Sequence, residues 1–370
     1  MSLGASQPQA FRSMPRRQRK KQKRSYFCAG CAVELEVDEP PDEVLLCEDC
    51  HDRVNAADIH WFVSHVDPTF ISGSSDEAVL KPSPPPLGPS TVAGGAATAR
   101  AKGWLADADA VLVLAGAGMS RDSALPDFRG RDGWYSVGGA EVSMEHMDFH
   151  EKSPHWETAW RTLTAMAAAF RGAAPHAGYA RLRRLAAEKR VFVVTSNIDE
   201  LFPRAGFDDN VYETHGSALR LQCSTVGTDA ACGRGVWALD DATLDTLRRR
   251  YSGDAVDESA ALPRCACGAA ARPNLSHATD HDEDIDGAIK GAQRARMEAW
   301  LAAERRSKLV VLEVGCGTSV HSLRLDSEIV AASASSAKLV RVDPGDARVP
   351  EGANHAGVAL GAKAALVALT

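Results

Sequence analysis

Side chains suited to chemistry follow an apolar run in the first third of the chain. The run 111–115 (VLVLA) has the length of a buried parallel strand. It leads directly into Gly116-Ala117-Gly118, where small side chains let backbone N–H groups approach a phosphate. Tight turns after strands also need glycine, so these glycines alone do not distinguish a nucleotide site from a structural turn. Asp127, Phe128 and Arg129 follow, and this acid, aromatic ring and cation favour a binding site.

Two later segments add polar groups at predicted strand ends. Asn197 and Asp199 follow the apolar run 191–195, and open α/β sheets bind ligands at the carboxyl ends of parallel strands. The alternative is that these side chains only cap the next helix. His215 lies beside Gly216, just beyond a short predicted strand. Isolated histidines are more often structural than catalytic, so the position of this residue decides its interpretation.

Eight of the nine cysteines occur in pairs, which favours metal over disulfides in a reducing compartment. Cys28-x-x-Cys31 and Cys47-x-x-Cys50 are separated by 15 residues and predict a four-thiolate zinc site, with His51 as the alternative to Cys50. The short acidic segment between the pairs cannot bury a core, so the metal would supply folding free energy.

Four further cysteines form a second candidate metal site with less regular spacing. They are Cys223, Cys232, Cys265 and Cys267. Zinc is the preferred interpretation, and the alternative is a set of buried thiols without metal.

The order of these motifs resembles that of the sirtuin family. GAGMSRDSALPDFRG resembles the sirtuin signature, with Ala124 where the family usually has glycine. TSNID followed by AGF is similar to the family's TQNID…AG segment, with Ser196 in place of glutamine. His215-Gly216 matches the family's His-Gly motif, and the run 315–319 (GCGTS) matches its late glycine-Thr-Ser turn.

The resemblance implies NAD as cofactor and assigns roles to residues. It implies that Asn197 handles the nicotinamide ribose, that Asp199 orients the carboxamide and that His215 is the general base. The four cysteines from Cys223 to Cys267 would hold structural zinc in a module inserted at about 221–272. The residues implied to bind NAD are Gly116, Ala117, Gly118, Ser120, Asp127, Phe128, Arg129, Asn197, Asp199, Gly317, Thr318, Ser319 and Asp343.

The implied activity is NAD-dependent removal of acyl groups from protein lysines. An acyl-lysine oxygen attacks the ribose C1′, nicotinamide leaves, and His215 deprotonates a ribose hydroxyl, which yields O-acyl-ADP-ribose. Ala278 and Thr279 stand where the family's substrate loop usually has Phe-Gly, so two alternatives stay open. One is ADP-ribosyl transfer to protein or NAD hydrolysis; the other is a non-catalytic NAD-sensing chromatin or complex-assembly factor. The run 276–287 also carries two histidines and five acids, which favour a solvated acidic loop over a cation site.

The elements that must position these residues indicate an α/β fold. We predict a doubly wound, Rossmann-like parallel sheet with a smaller helical and zinc-binding lobe, preceded by a small zinc module. We predict helices over 153–170, 288–303 and 356–369, and a further helix that has Pro175 in its first turn. We predict strands over 309–314 and 339–343, and the second of these is the last predicted strand of the chain. The predicted boundaries are 1–27 for a basic disordered tail, 28–66 for the zinc module, 67–91 for a Pro/Ser-rich linker and 92–370 for the NAD-binding domain.

Charge is distributed unevenly along the chain. The formal net charge is −7, although residues 1–24 hold eight Lys or Arg and no acid. The basic run 12–24 predicts nuclear import, or contact with phosphate groups and nucleic acid. The alternatives are a tail that only increases solubility and a mitochondrial transit peptide. A cytoplasmic location is a further alternative to the nucleus. No apolar run reaches the roughly 18 residues of a membrane span, and no apolar secretory-signal core is present, so we expect an intracellular protein. The expected partners are an acyl-lysine protein such as a histone, and a protein bound by the N-terminal zinc module.

Overall fold

The computed structural model describes residues 24–27, 34–37, 95–128, 133–134, 146–228, 232–276, 285–318, 322–333 and 336–370. The first two segments are strands β1 (Arg24–Phe27) and β2 (Glu34–Val37), which pair antiparallel with Phe27 opposite Glu34. β1 lies at the end of the segment 1–27, which the sequence analysis assigns to a disordered tail. Its last two residues are Tyr and Phe, which are residue types that favour strands. Cys28, Cys31, Cys47 and Cys50 all lie outside the described residues, so the N-terminal zinc site stays a prediction.

The main sheet has six strands, all parallel, in the order β11-β10-β9-β3-β4-β5. In chain order this is the doubly wound arrangement, and its direction of winding reverses between β3 and β9. The crevice at the carboxyl ends of those two strands is where such sheets bind ligands. The remaining strands are β3 (Ala110–Ala115), β4 (Arg190–Thr195), β5 (Val211–Glu213), β6 (Gly216–Cys223), β7 (Trp237–Ala238), β8 (Ala271–Leu275), β9 (Leu309–Val314), β10 (Lys338–Val342) and β11 (His355–Val358).

Alternating residues of the buried strands face the two sides of the sheet. Val111 and Val113 of β3 belong to one apolar core, and Leu112 and Leu114 to the other. Helices cover both faces, which confirms the predicted doubly wound α/β class. No helix in the described part of the chain is both long and apolar enough to cross a membrane. The helices are α1 (Gly95–Asp107), α2 (Trp156–Gly172), α3 (Ala177–Glu188), α4 (Leu201–Arg204), α5 (Asp241–Arg250), α6 (Ala288–Ala303), α7 (Ser322–Ser333) and α8 (Ala362–Leu369), with a 3-10 helix at Ala117–Ser123.

A smaller lobe is inserted between β5 and α6. It holds a three-stranded antiparallel sheet in the order β7-β6-β8. Helix α5 packs on α2 through buried Leu244 and Leu247. The lobe also carries the four cysteines from Cys223 to Cys267, as the sequence predicts.

The carboxyl end of the domain differs from the prediction. The predicted helix 356–369 begins only at Ala362, and its first residues form β11, so β10 is not the last strand. Alanine-rich sequence favours helix, but here parallel pairing with β10 decides the conformation. A Cβ atom on Gly357 would lie 2.0 Å from the Ala347 carbonyl oxygen, so only glycine fits this strand. Pro175 is likewise outside its predicted helix, because His176 caps the N-terminus of α3.

Candidate functional site

Two glycine turns form the floor of the crevice between β3 and β9. The N–H groups of Gly116 and Gly118 donate to the carbonyl oxygens of Val314 and Gly315, at 3.1 and 2.9 Å. A Cβ atom on Gly116 or Gly118 would lie 2.6 or 2.7 Å from the backbone of 315–316. The missing side chains therefore let the two turns touch. Contact of this turn with NAD stays a prediction.

The 3-10 helix after the first turn ends at a residue of unusual conformation and is held by a buried histidine. It ends at Ala124, which adopts the left-handed conformation (φ 62°). This is the position where the sirtuin signature has glycine, the residue that adopts this conformation without strain. His176 Nε2 donates to the Met119 carbonyl oxygen, and His176 Nδ1 accepts from the Gly178 N–H. Burial lowers the pKa of His176, although the bond to Met119 opposes the shift.

Three polar side chains predicted to bind NAD meet beneath this helix. Ser120 Oγ donates to Asp199 Oδ2 at 2.6 Å and accepts from Asn197 Nδ2 at 3.0 Å. Asn197 Nδ2 also donates to the Gly116 carbonyl oxygen at 3.0 Å. Asn197 is 4% exposed, and its Oδ1 has no hydrogen-bond partner among the described residues. A buried acceptor without a donor is costly, so this atom fits a ligand hydroxyl or amide.

Asp199 is an acid in an apolar surrounding. Burial raises its pKa, and the bonds from Ser120 and from the Leu201 N–H partly offset this effect. Tyr179 lies behind Ser120, with its hydroxyl 3.4 Å from Ser120 Oγ. Burial and the nearby Asp199 raise the pKa of Tyr179, so it stays a neutral phenol.

A small pocket lies over these groups. Trp134 and Phe170 contact edge to face with ring centroids 5.7 Å apart. The aromatic and polar side chains that line the pocket are Phe128, Trp134, Phe170, Ser120, Asn197 and Asp199.

His215 lies in the connection between β5 and β6, outside the lining of this pocket. Backbone bonds hold the connection against the loop after β4: Thr214 N–H donates to the Thr195 carbonyl and Ala218 N–H to the Ile198 carbonyl. Gly216 has φ 76°, and a Cβ there would lie 2.3 Å from the Asn274 carbonyl oxygen. The fold therefore brings the predicted base next to the loop that carries Asn197 and Asp199.

Comparison with known proteins places these motifs in a family. A model of the Sir2 family matches residues 116–274. An NAD-dependent protein deacylase of Daphnia pulex is 33% identical over 196 residues, which are 50% of this chain and 68% of the relative. The chain belongs to the Sir2 family. An NAD-dependent protein deacetylase of Cutibacterium acnes is 28% identical over 200 residues, 52% of this chain and 71% of the relative.

Solved structures show that the Sir2 domain has the sirtuin fold. One, reported as the structural basis of sirtuin substrate affinity, has a TM-score of 0.52 and 22% identity over 72% of this chain and 95% of its own. A complex of a Sir2 homologue with NAD has a TM-score of 0.50 and 17% identity, covering 73% of this chain and 91% of its own. At these identities the likeness concerns the fold alone.

The other side of the crevice in the Sir2 domain is more open. Gly317 has φ 55° and is exposed, as is Thr318; Arg129 and Ser319 lie outside the described residues. Asp343 Oδ1 accepts from the N–H groups of Gly345 and Asp346, both at 2.8 Å. The Asp343 carboxylate thus caps its own loop, and a ribose contact by this residue stays a prediction.

Four thiols of the Sir2 domain converge, as the resemblance to sirtuins implies. The Sγ atoms of Cys223, Cys232, Cys265 and Cys267 all lie within 4.8 Å of one another, with Cys223–Cys267 at 3.6 Å and Cys232–Cys265 at 3.5 Å. A tetrahedral zinc–thiolate site has sulfur atoms about 3.8 Å apart, so the four residues fit zinc. Burial opposes ionisation of the Cys265 thiol, but the Cys267 N–H and the neighbouring thiols lower its pKa, whereas the contacts with these thiols raise the pKa of Cys232.

Sequence reasoning missed several residues around the site. Tyr179 and His176 belong to no recognised motif, although they support Ser120 and the 3-10 helix. Glu200 and Arg220 carried no motif, and their contacts become visible only in three dimensions. The adjacency of Glu200 to the TSNID motif was the one available signal.

Proposed function

We propose that this protein is an NAD-dependent protein deacylase that removes acyl groups from lysine side chains. The observation that carries the proposal is the buried Ser120–Asn197–Asp199 cluster below the turn that follows β3, in which Asn197 Oδ1 has no hydrogen-bond partner among the described residues. The relatives named NAD-dependent protein deacylase and deacetylase support it.

The residues of the site divide the work. NAD, when bound, would supply an electrophilic ribose carbon with nicotinamide as its leaving group. Asn197 Oδ1 would accept a hydrogen bond from a ribose hydroxyl, and the buried Asp199 would orient the carboxamide. The aromatic rings of Phe128 and Trp134 line the pocket and would limit the access of water. The His215 imidazole takes a proton from a ribose hydroxyl, a task for a base that titrates near neutrality.

The deciding experiment identifies the NAD-derived products by mass spectrometry in the presence of a panel of acyl-lysine peptides. We expect free nicotinamide and O-acyl-ADP-ribose in equal amounts. His215→Ala should abolish both while NAD binding stays nearly intact. His150→Ala, which alters an exposed histidine, is the matched control and should keep full turnover. Labelled protein or free ADP-ribose without O-acyl product would instead support transfer or hydrolysis.

Location and partners form a second, separate proposal. The basic run 12–24 supports nuclear import, and a nuclear deacylase would meet acylated histones. We also propose that the module 28–66 binds zinc and a protein partner. Import of a reporter fused to residues 1–27, and its loss when the basic residues become alanine, tests the first part.

A further inference from the structure

Glu200 has a backbone conformation that its residue type does not favour. It follows Asp199 directly and has φ 56° and ψ 20°, in the left-handed region. Ala124 and Glu200 are the non-glycine residues with positive φ within the described segments. Such residues cost about 1 kcal/mol or more unless the surroundings hold them in place. Backbone geometry alone would therefore select glycine at this position.

Two contacts of the Glu200 carboxylate explain why this position holds an acidic residue. Glu200 Oε1 accepts from Ser217 Oγ at 2.7 Å and from Arg220 Nε at 2.8 Å. The side chains of Glu200 and Arg220 are each 19% exposed, so the pair is largely shielded from water. Both partners lie on β6, in the smaller lobe, whereas Glu200 belongs to the loop that carries Asn197 and Asp199.

Arg220 extends the connection to the other side of His215. Arg220 Nη1 donates to Glu213 Oε2 at 2.9 Å, and Glu213 is 1% exposed at the end of β5. Gln293 on α6 donates to the same Glu213 oxygen and accepts from the Glu213 N–H. His215 thus lies between two residues, Glu213 and Ser217, that are both tied to the Glu200–Arg220 pair.

We infer that Glu200, acting with Arg220, is a positioning residue that fixes the His215 connection relative to Asn197 and Asp199. The inference rests on the proposed function, because it assigns Glu200 the task of aligning base and cofactor groups for deacylation. The carboxylate joins the two loops by side-chain bonds, in addition to the backbone bond from Ala218 N–H to the Ile198 carbonyl. Small displacements of catalytic groups cost large factors in rate, so such a link would act on turnover.

Glu200→Gly separates positioning from stability. Glycine removes the backbone strain, and Arg220 keeps its bond to Glu213, so no buried charge is left unpaired. We expect a melting temperature within about 4 °C of the wild type. We expect kcat to fall at least about tenfold, with a KM for NAD changed less than about threefold. Hydrogen exchange of the Ala218 amide should become faster.

Two further variants complete the test. Glu200→Gln retains an oxygen acceptor for Ser217 and should keep kcat within about threefold of the wild type. Glu298→Gln breaks a half-exposed ion pair with Arg294 on α6 and should change neither kcat nor exchange. Full kcat and unchanged Ala218 exchange in Glu200→Gly would overturn the inference, as would an equal loss of kcat in Glu298→Gln. If the wild type makes no O-acyl-ADP-ribose, the proposed function fails, and Ala218 exchange alone decides the positioning role.

Discussion

Asp199 is the residue at which stability and function conflict most clearly. An ionised carboxylate loses its hydration when it is buried, and here one hydroxyl and one backbone N–H replace it. The raised pKa of Asp199 records that cost. Because its pKa is higher in the folded than in the unfolded chain, the folded state loses stability as pH rises from 3.8 through the folded-state value.

Replacing Asp199 by the neutral asparagine, which has a similar shape, should therefore raise stability and lower activity. We expect Asp199→Asn to be at least as stable as the wild type at pH 7.5, by up to about 2 kcal/mol more, and to lose about a hundredfold or more in deacylation. Urea unfolding at pH 5.0 and 7.5 measures the first effect, and product formation the second. Asp208→Asn, at an exposed position, controls for the loss of one charge. A variant less stable than the wild type at pH 7.5 would contradict this account of Asp199.

At the scale of elements, the sequence was informative where the pattern is local. Helix α6 and strand β9 have the predicted bounds, because one has helical periodicity and the other is a continuous apolar run. Strand β11 was missed, since its four residues become a strand only through pairing with β10. Asn197, Asp199 and Ser120 were predicted from motifs and meet in the fold, and the four cysteines from Cys223 to Cys267 converge. The Glu200 conformation and the capping role of Asp343 depend on backbone angles and distant partners that no pattern encodes.

The N-terminus of α3 makes a pH-dependent contact with the 3-10 helix at Ala117–Ser123. His176 must be neutral to accept from the Gly178 N–H. Asp122 favours the protonated form, while Lys363 and burial oppose it, and the net result is a pKa below the ordinary 6.5. Below pH 6.5 the unfolded chain binds a proton that the folded chain refuses, so stability is full above this pH and falls as pH drops.

We expect His176→Asn to flatten the pH dependence of stability. Asparagine keeps a side-chain acceptor for the helix N-terminus but does not titrate. The wild type should lose up to about 1.4 kcal/mol per pH unit between pH 6.5 and 5.5 from this group, and the variant should lack that slope. Unfolding midpoints across this range provide the measurement. Equal slopes in both proteins would show that His176 does not contribute.

At the scale of the molecule, the four thiols of the smaller lobe lie at the far end of the strand that follows His215. Strand β6 runs from Gly216 to Cys223, so one strand connects the predicted metal site with the predicted base. Metal bound by Cys223 would therefore stabilise the lobe whose strand carries Ser217 and Arg220.

Zinc content separates the two predicted metal sites. The wild type should bind about two zinc ions per chain, and Cys265→Ser with Cys267→Ser should bind about one and melt at a lower temperature. Cys28→Ser with Cys31→Ser should also bind about one zinc but keep the deacylase domain and its turnover intact. Elemental analysis and thermal unfolding measure both effects. One zinc in the wild type would leave the N-terminal module without metal.

The glycine contacts across the crevice have a consequence for ligand selectivity. The backbones at Gly116, Gly118 and Gly315 touch without any intervening side chain, so no substitution there can reshape the floor without separating β3 from β9. The shape of the crevice floor is therefore set by the backbone and cannot be changed by exchanging side chains. Cofactor analogues must be accommodated by the walls, where Phe128 and Trp134 offer side chains that can be exchanged one at a time.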